Sequence, residues 1–316
     1  MYNPTILITG AAGNLGGLLA NYLKDRNLYL LIHEKDVAPE LKKQSNIHVF
    51  RADLKQKETL REPLKNVDTI VHFAGVLFKA NPQKFLPETN TLYFNNLLDM
   101  AIEQQVKKII LISFPHVEGE TTPQQPATGR LDGQPISVHA RTRLQEEKDL
   151  FKKCGKAGIT AISLRVGMVY GRGILMPNAA EWFGKRCLLG VWRKPTFIHL
   201  ISKDDFLSAV TAAIDNPAAN GIYHIGDDGV QTLQQFLDKM AEYKHFHKPW
   251  RMPLWMILTA AQIFEIFSFL FGTKSLLTKD FIKIGRVSYY GDTMRMKAEL
   301  LPQLKYKTFE DGKEII

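Results

Sequence analysis

Ile6-Leu7-Ile8-Thr9-Gly10-Ala11-Ala12-Gly13-Asn14-Leu15-Gly16 decides the architecture of this chain. Three consecutive apolar residues predict a strand buried on both faces, and glycines at every third position predict a tight turn. Leu15, Leu18, Leu19 and Leu23 then begin the apolar face of a helix. Strand, glycine turn and helix N-terminus, in that order, make a cradle for the pyrophosphate of a dinucleotide. Glycines let the backbone approach closely, while free N–H groups and the helix dipole meet the negative charge. Tyr29-Leu30-Leu31-Ile32 is expected to be the next strand, and it runs out at Glu34. A carboxylate there is placed to bond the adenosine ribose hydroxyls.

The same rhythm continues. Ile47 to Phe50, Val67 to Gly75, Lys108 to Ser113 and Ile159 to Val169 read as further strands. Asn90 to Val106 and Arg141 to Lys153 read as helices between them. Alternation of this kind predicts an α/β fold built on a doubly wound parallel sheet. Residues 118–136, rich in proline and glycine, interrupt it as a loop at the carboxyl edge of the sheet. The pattern loosens after residue 170, so the expected division is a first domain over 1–170 and a smaller lobe over 171–316. Segments of about 197–225 are expected to return to the first domain. Within the lobe, Thr232 is a helix cap for Leu233 to Tyr243.

Composition narrows the function classes. The 316 residues are 45% apolar and 23% charged, ordinary for a globular protein. Cys154 and Cys187 are too few for a disulfide scaffold, and no signal peptide is evident, so a cytoplasmic location is expected. The net charge of +9 is spread over scattered Lys and Arg residues, so no nucleic-acid partner is expected. His245 and His247 lack further ligands at metal-binding spacing, and no metal is expected. Leu254 to Phe271 is the longest apolar run, interrupted by Thr259, Gln262, Glu265 and Ser268 on one face. A mid-run carboxylate argues against a membrane span. Core packing is the leading reading of this helix, and peripheral membrane contact through 254–271 is the alternative.

Several ordered motifs together resemble the extended short-chain dehydrogenase/reductase superfamily, its NAD-dependent epimerase/dehydratase group. The glycine spacing of Thr9 to Gly16 is the first. Ala52-Asp53-Leu54 is similar to that family's Gly-Asp-Leu, whose Asp contacts adenine. Val71 to Gly75 resembles its fourth-strand signature, and Asn90 with Asn96-Leu97-Leu98 its fourth-helix Asn pattern. Leu164-Arg165-Val166-Gly167-Met168-Val169-Tyr170-Gly171 is similar to its Leu-Arg-Pro-Gly-x-Val-Tyr-Gly. The resemblance implies a Rossmann-type fold with a smaller C-terminal substrate lobe and hydride transfer at a carbinol or carbonyl carbon. It implies a nucleotide cofactor held by Gly10, Gly13, Asn14, Leu15, Gly16, Glu34, Asp53, Leu54, Ala74, Gly75, Asn90, Arg143 and Val166. Glu34 favours NAD, since a carboxylate repels a 2′-phosphate, with NADP as the alternative. The expected substrate is a nucleotide sugar or a hydrophobic alcohol or ketone, and a homodimer is a family expectation.

The chain departs from the family at its chemistry. A Ser and a Tyr-x-x-x-Lys pair are required there. Here Phe114 occupies the usual Ser position, with Ser113 one residue early, and His139 and Arg143 stand in the Tyr and Lys places. Two readings follow. In one, His139 is the acid/base, Arg143 holds the ribose, and Ser113 or His116 supplies the missing hydrogen bond. In the other, the catalytic set has decayed, and the chain is a non-catalytic dinucleotide-binding regulator or assembly protein.

Overall fold

The computed structural model describes residues 4–76, 81–271 and 277–316. Seven parallel strands form the central sheet: β1 (Ile6–Thr9), β2 (Leu28–Ile32), β3 (Ile47–Arg51), β4 (Thr69–His72), β5 (Lys108–Ser113), β6 (Thr160–Val166) and β7 (Gly221–Ile225). Their order is β7-β6-β5-β4-β1-β2-β3. Ile6 pairs with Leu28 on one side and with Thr69 on the other. The chain therefore leaves β1 in one direction through β2 and β3, and in the opposite direction from β4 onward. Crossover connections on both sides diverge at that point and leave a crevice at the carboxyl ends of β1 and β4.

The strands are continuous apolar runs because helices cover both faces. Ile6, Ile8, Leu28 and Leu30 pack with Leu19 of α1 (Asn14–Tyr22) and Phe206, and Leu7, Ile70 and Leu111 with Phe94, Leu97 and Leu150 on the other face. The second group of partners comes from α2 (Tyr93–Glu103) and α3 (Val138–Ala157), and Phe206 from α4 (Lys203–Asp215). Lys108, at the start of β5, is buried with its ammonium on the carbonyls of Ala213, Ile214 and Asn216 at the end of α4. Those are carbonyls a helix leaves unpaired at its C-terminus, and burial pulls the Lys108 pKa down.

The helix expected from Asn90 begins instead as a π-helical turn, Pro87–Leu92, before α2. The strand expected over 159–169 divides into β6 and a short segment, Met168–Tyr170, which leaves the sheet to pair with Leu200–Ser202. Beyond it, Tyr170, Trp192, Phe236, Met240 and Phe309 form a third core. Thr232 caps Leu233–Tyr243 in a reciprocal pair with Gln235. Met296 and Leu300, near the C-terminus, join the core beneath α1 and α4, an excursion the sequence pattern does not announce.

Helix α5 (Leu254–Phe271) corrects the core-packing expectation. Ile257 and Ala261 are buried, whereas Trp255, Ile263, Phe267 and Leu270 are 53–68% exposed. Two of its polar residues turn inward, while Thr259 stays exposed: the Glu265 carboxylate accepts from the Lys279 amide at 2.8 Å, and Gln262 accepts from the Lys279 ammonium. The outer face is the apolar one.

Candidate active site

The glycine turn is shaped by close approach. Gly10 has φ of +68°, and an added Cβ would lie 3.0 Å from the Ala74 amide nitrogen. At Gly16 a Cβ would lie 2.4 Å from the Gly10 carbonyl oxygen. The Gly13 amide donates to that same oxygen at 2.8 Å. Gly13 is the N-cap of α1, with no side-chain cap bond and no acid in the first turn. The positive end of the helix is therefore left without a protein anion.

Thr9 joins the two strand ends at the crevice. Its hydroxyl accepts from the Ala74 amide at 3.3 Å and is 2.8 Å from His72 Nδ1. With Nδ1 accepting, the His72 ring is in its neutral Nε2–H form. Burial and the Arg143 charge hold its pKa down at about 3. Asn14 reaches out of the turn, donating to the Gly173 carbonyl at 2.7 Å and accepting from the Leu175 amide at 3.3 Å. It ties the start of α1 to the segment after β6. Leu15 is half-buried and packs on the core beneath α1.

At the other end of the crevice, Glu34 is exposed, and its carboxylate has no hydrogen bond or ion pair among the described residues. The Arg51 guanidinium instead holds the backbone carbonyls of His33 and Glu34. Asp53 is half-buried with one carboxylate oxygen on the Lys55 amide at 2.9 Å. Asn96 fixes the carbonyls of Leu54 and Lys55 at 2.9 and 3.1 Å. Val166 is buried at the end of β6, packed in the core beneath α1.

His139 and Arg143 lie one turn apart on α3, which Ser137 caps by accepting from the Ala140 amide at 3.1 Å. Asn90 donates to Thr142 Oγ1 at 3.0 Å, and Thr142 donates to the His139 carbonyl at 3.0 Å. The buried Asn90 thus serves α3, and its own Oδ1 has no partner among the described residues. Arg143 is 7% exposed, donating to Glu146 at 2.7 Å and to the Ala74 carbonyl at 3.3 Å. Its guanidinium passes so near Gly75 that a Cβ there would lie 2.3 Å from Nη2. Burial pushes Glu146 up to about 7 against the pull of Arg143.

His139 is 5% exposed, and its ring makes no hydrogen bond among the described residues. Phe114 meets it edge-on, 5.0 Å between centroids, and lies tilted at 40° against His116, 4.9 Å away. Burial, with Arg143 and then His116 adding to it, holds the His139 pKa down at about 3. His116 bonds the Val287 carbonyl at 2.9 Å.

Ser113 departs from its expected role. Its hydroxyl donates to Glu147 at 2.5 Å, inside a buried cluster that the strand alternation turns away from Phe114. Arg165 is the centre of that cluster, fully buried between Glu147 at 2.6 Å and Glu118. Glu118 also accepts from the amides of Gly129 at 2.7 Å, Arg130 at 3.1 Å and Thr128 at 3.2 Å. The cluster folds the loop after β5 onto β6. Neither Glu118 nor Glu146 stands out in the sequence: only the three-residue spacing from Arg143 signals the second.

Three comparisons bear on this arrangement. The model of the NAD dependent epimerase/dehydratase family matches residues 6–226. UDP-glucose 4-epimerase of Vibrio cholerae is 23% identical over 304 residues, 87% of this chain and 84% of that protein. Uronate dehydrogenase of Pseudomonas syringae pv. tomato is 26% identical over 163 residues, 51% of this chain and 58% of that protein. Among solved structures, UDP-glucose 4-epimerase from Thermotoga maritima superposes with a TM-score of 0.77 at 18% identity, over 98% of this chain and 96% of that one. The family match begins at the first residue of β1 and ends one residue beyond β7, taking in the whole sheet and the glycine turn: the chain belongs to the NAD-dependent epimerase/dehydratase family.

Proposed function

We propose that the chain binds NAD along the carboxyl edge of the sheet and transfers a hydride at a carbinol or carbonyl carbon of a nucleotide sugar. The observation that carries this is the uncapped N-terminus of α1 above a turn that admits no Cβ, with a free carboxylate at Glu34. Those features fit a dinucleotide: anion-seeking amides for the pyrophosphate and an acceptor for the ribose diol. Gly10, Gly13 and Gly16 would hold the pyrophosphate, Asp53 and Leu54 the adenine side, and Ala74 and Gly75 the middle of the cofactor. NAD, when bound, supplies the hydride acceptor or donor.

The chain's own residues have three tasks in this reading. Arg143, fixed by Glu146 and the Ala74 carbonyl, holds the nicotinamide ribose side. His139 meets the substrate oxygen as a neutral imidazole, because burial has removed its charged form. Phe114 closes the wall where the family has a hydroxyl, so the substrate oxygen has His139 as its polar partner. Residues 1–170 form the cofactor domain and 171–316 mainly the substrate lobe, with 197–225 serving the first, which the pairing of β7 with β6 supports. Relatives that act on UDP-glucose support the nucleotide-sugar class.

A second reading has support in the same residues. A buried His139 facing Phe114, with Ser113 bonded to Glu147, suits a dinucleotide-binding regulator without turnover. His139→Phe separates them. Loss of turnover of UDP-sugars, with NAD affinity retained, supports catalysis. NAD binding by the parent chain with no turnover of any sugar nucleotide, alcohol or ketone supports the regulator. The catalytic reading further requires kcat/KM without an inflection near about pH 6.5, the ordinary histidine value.

A further inference from the structure

We propose that the outward face of α5, with the basic ribbon beside it, docks in the plane of an anionic lipid surface. The helix has inverted polarity: Gln262 and Glu265 are turned into the protein against Lys279, while Ile263, Phe267 and Leu270 are 62%, 53% and 68% exposed. A soluble surface rarely carries so continuous an apolar strip without something to cover it. No described helix is long and apolar enough to cross a membrane, so the contact would be a lying one.

The ribbon beside the helix identifies the cover. Gly190–Trp192 pairs with Trp250–Met252, which leads directly into α5. Trp250 and Trp255 are 53% and 67% exposed at this end. Exposed tryptophan is the residue type that settles at the headgroup level. Flanking them, residues 185–194 carry Lys185, Arg186, Arg193 and Lys194, and residues 244–251 carry Lys244, Lys248 and Arg251; Glu181 pairs with Lys185 and Lys244, and Asp238 with Arg251. Lys194 and Lys248 are exposed and without an ion pair among the described residues. An apolar strip, exposed tryptophans and adjoining cations form the pattern of an interfacial anchor for acidic headgroups. A second copy of the chain fits less well, since a two-fold contact would bring the same basic ribbon against itself.

The test is flotation of the full chain with vesicles of phosphatidylcholine alone and of phosphatidylcholine with phosphatidylglycerol. The expected result is capture by the phosphatidylglycerol vesicles. Ile263→Asp with Phe267→Asp should weaken that capture by at least about tenfold, with an unchanged thermal unfolding midpoint, because both side chains are exposed. Lys194→Glu with Lys248→Glu should weaken capture by anionic vesicles and bring it toward the level for phosphatidylcholine, without touching α5. Absence of capture by anionic vesicles, or capture indifferent to both pairs, would overturn the proposal. So would a dimer that forms without lipid and is dispersed by the Ile263 and Phe267 substitutions, which assigns the face to a second copy. Turnover and NAD affinity play no part in the readout, so the outcome is separate from that of the proposed reaction.

Discussion

Replacing Gly16 by Ala tests the geometry on which the cofactor site rests. The new Cβ would lie 2.4 Å from the Gly10 carbonyl oxygen and 3.0 Å from its carbonyl carbon, both backbone atoms. Non-bonded carbon contacts settle at about 3.5–4 Å, so α1 and the turn must separate by about 1 Å. Overpacking of this kind costs about 1–3 kcal/mol. The atoms forced to move include the Gly10 oxygen that accepts from Gly13, so the amides facing the pyrophosphate lose their alignment. The expectation is a urea midpoint lowered by about 1–3 kcal/mol in unfolding free energy and NAD affinity reduced at least about tenfold. Gly155→Ala, in α3 where a Cβ meets nothing within 4 Å, is the control. It should stabilise by about 0.5–1 kcal/mol through helix propensity and leave NAD affinity unchanged. A Gly16→Ala protein with parental stability and parental NAD affinity would refute the reasoning.

Glu34→Ala should weaken NAD by about five- to thirtyfold, the loss of a charge-assisted hydrogen bond. It should also narrow the preference over NADP, because Arg51 and Lys35 stand beside the vacated position; calorimetric titration with both cofactors checks this. Acid should unfold the chain through Glu118. Burial alone would raise its pKa, but the His224 ring 3.5 Å away, bonds from the Gly129 and Thr128 amides and the Arg165 charge bring it down from 4.5 to about 2. A depressed carboxylate stabilises the fold above its unfolded value, and that contribution is lost as pH falls from 4.5 toward 2. Melting temperatures across that window should drop steeply in the parent and less steeply in Glu118→Gln, which begins lower; equal slopes would exclude Glu118 as the group. Lys108→Ala should cost about 2–3 kcal/mol in chemical denaturation, since it leaves three buried carbonyls at the end of α4 without their donor.

Those features that were legible in the sequence are local ones. A buried parallel strand is a run of apolar residues, and the glycine turn, the Thr232 cap and the acid after β2 each sit within a few residues of the element they serve. The family motifs repeat that local information and extend it through Leu164 to Gly171. What was not legible depends on elements far apart in the chain. Alternation turns Ser113 away from Phe114, but its partners become visible only when β6 brings Ser163, Arg165 and, through α3, Glu147 to its side of the sheet. Glu118 lies in a loop with no periodicity, and only the fold sets it against Arg165. The polarity of α5 was misread for the same reason. Its polar positions share a face, but which way that face points was decided by Lys279 on another helix. His139 was read as an acid/base from its residue type, but its burial, which with Arg143 holds its pKa down at about 3, is set by the fold.

The most direct test of the account is calorimetric titration of the purified full chain with NAD⁺, NADH, NADP⁺ and NADPH. The account predicts saturable binding of the NAD forms, tighter than the phosphorylated forms, and weakened by both Gly16→Ala and Glu34→Ala. Binding of none of the four by a folded protein would contradict it.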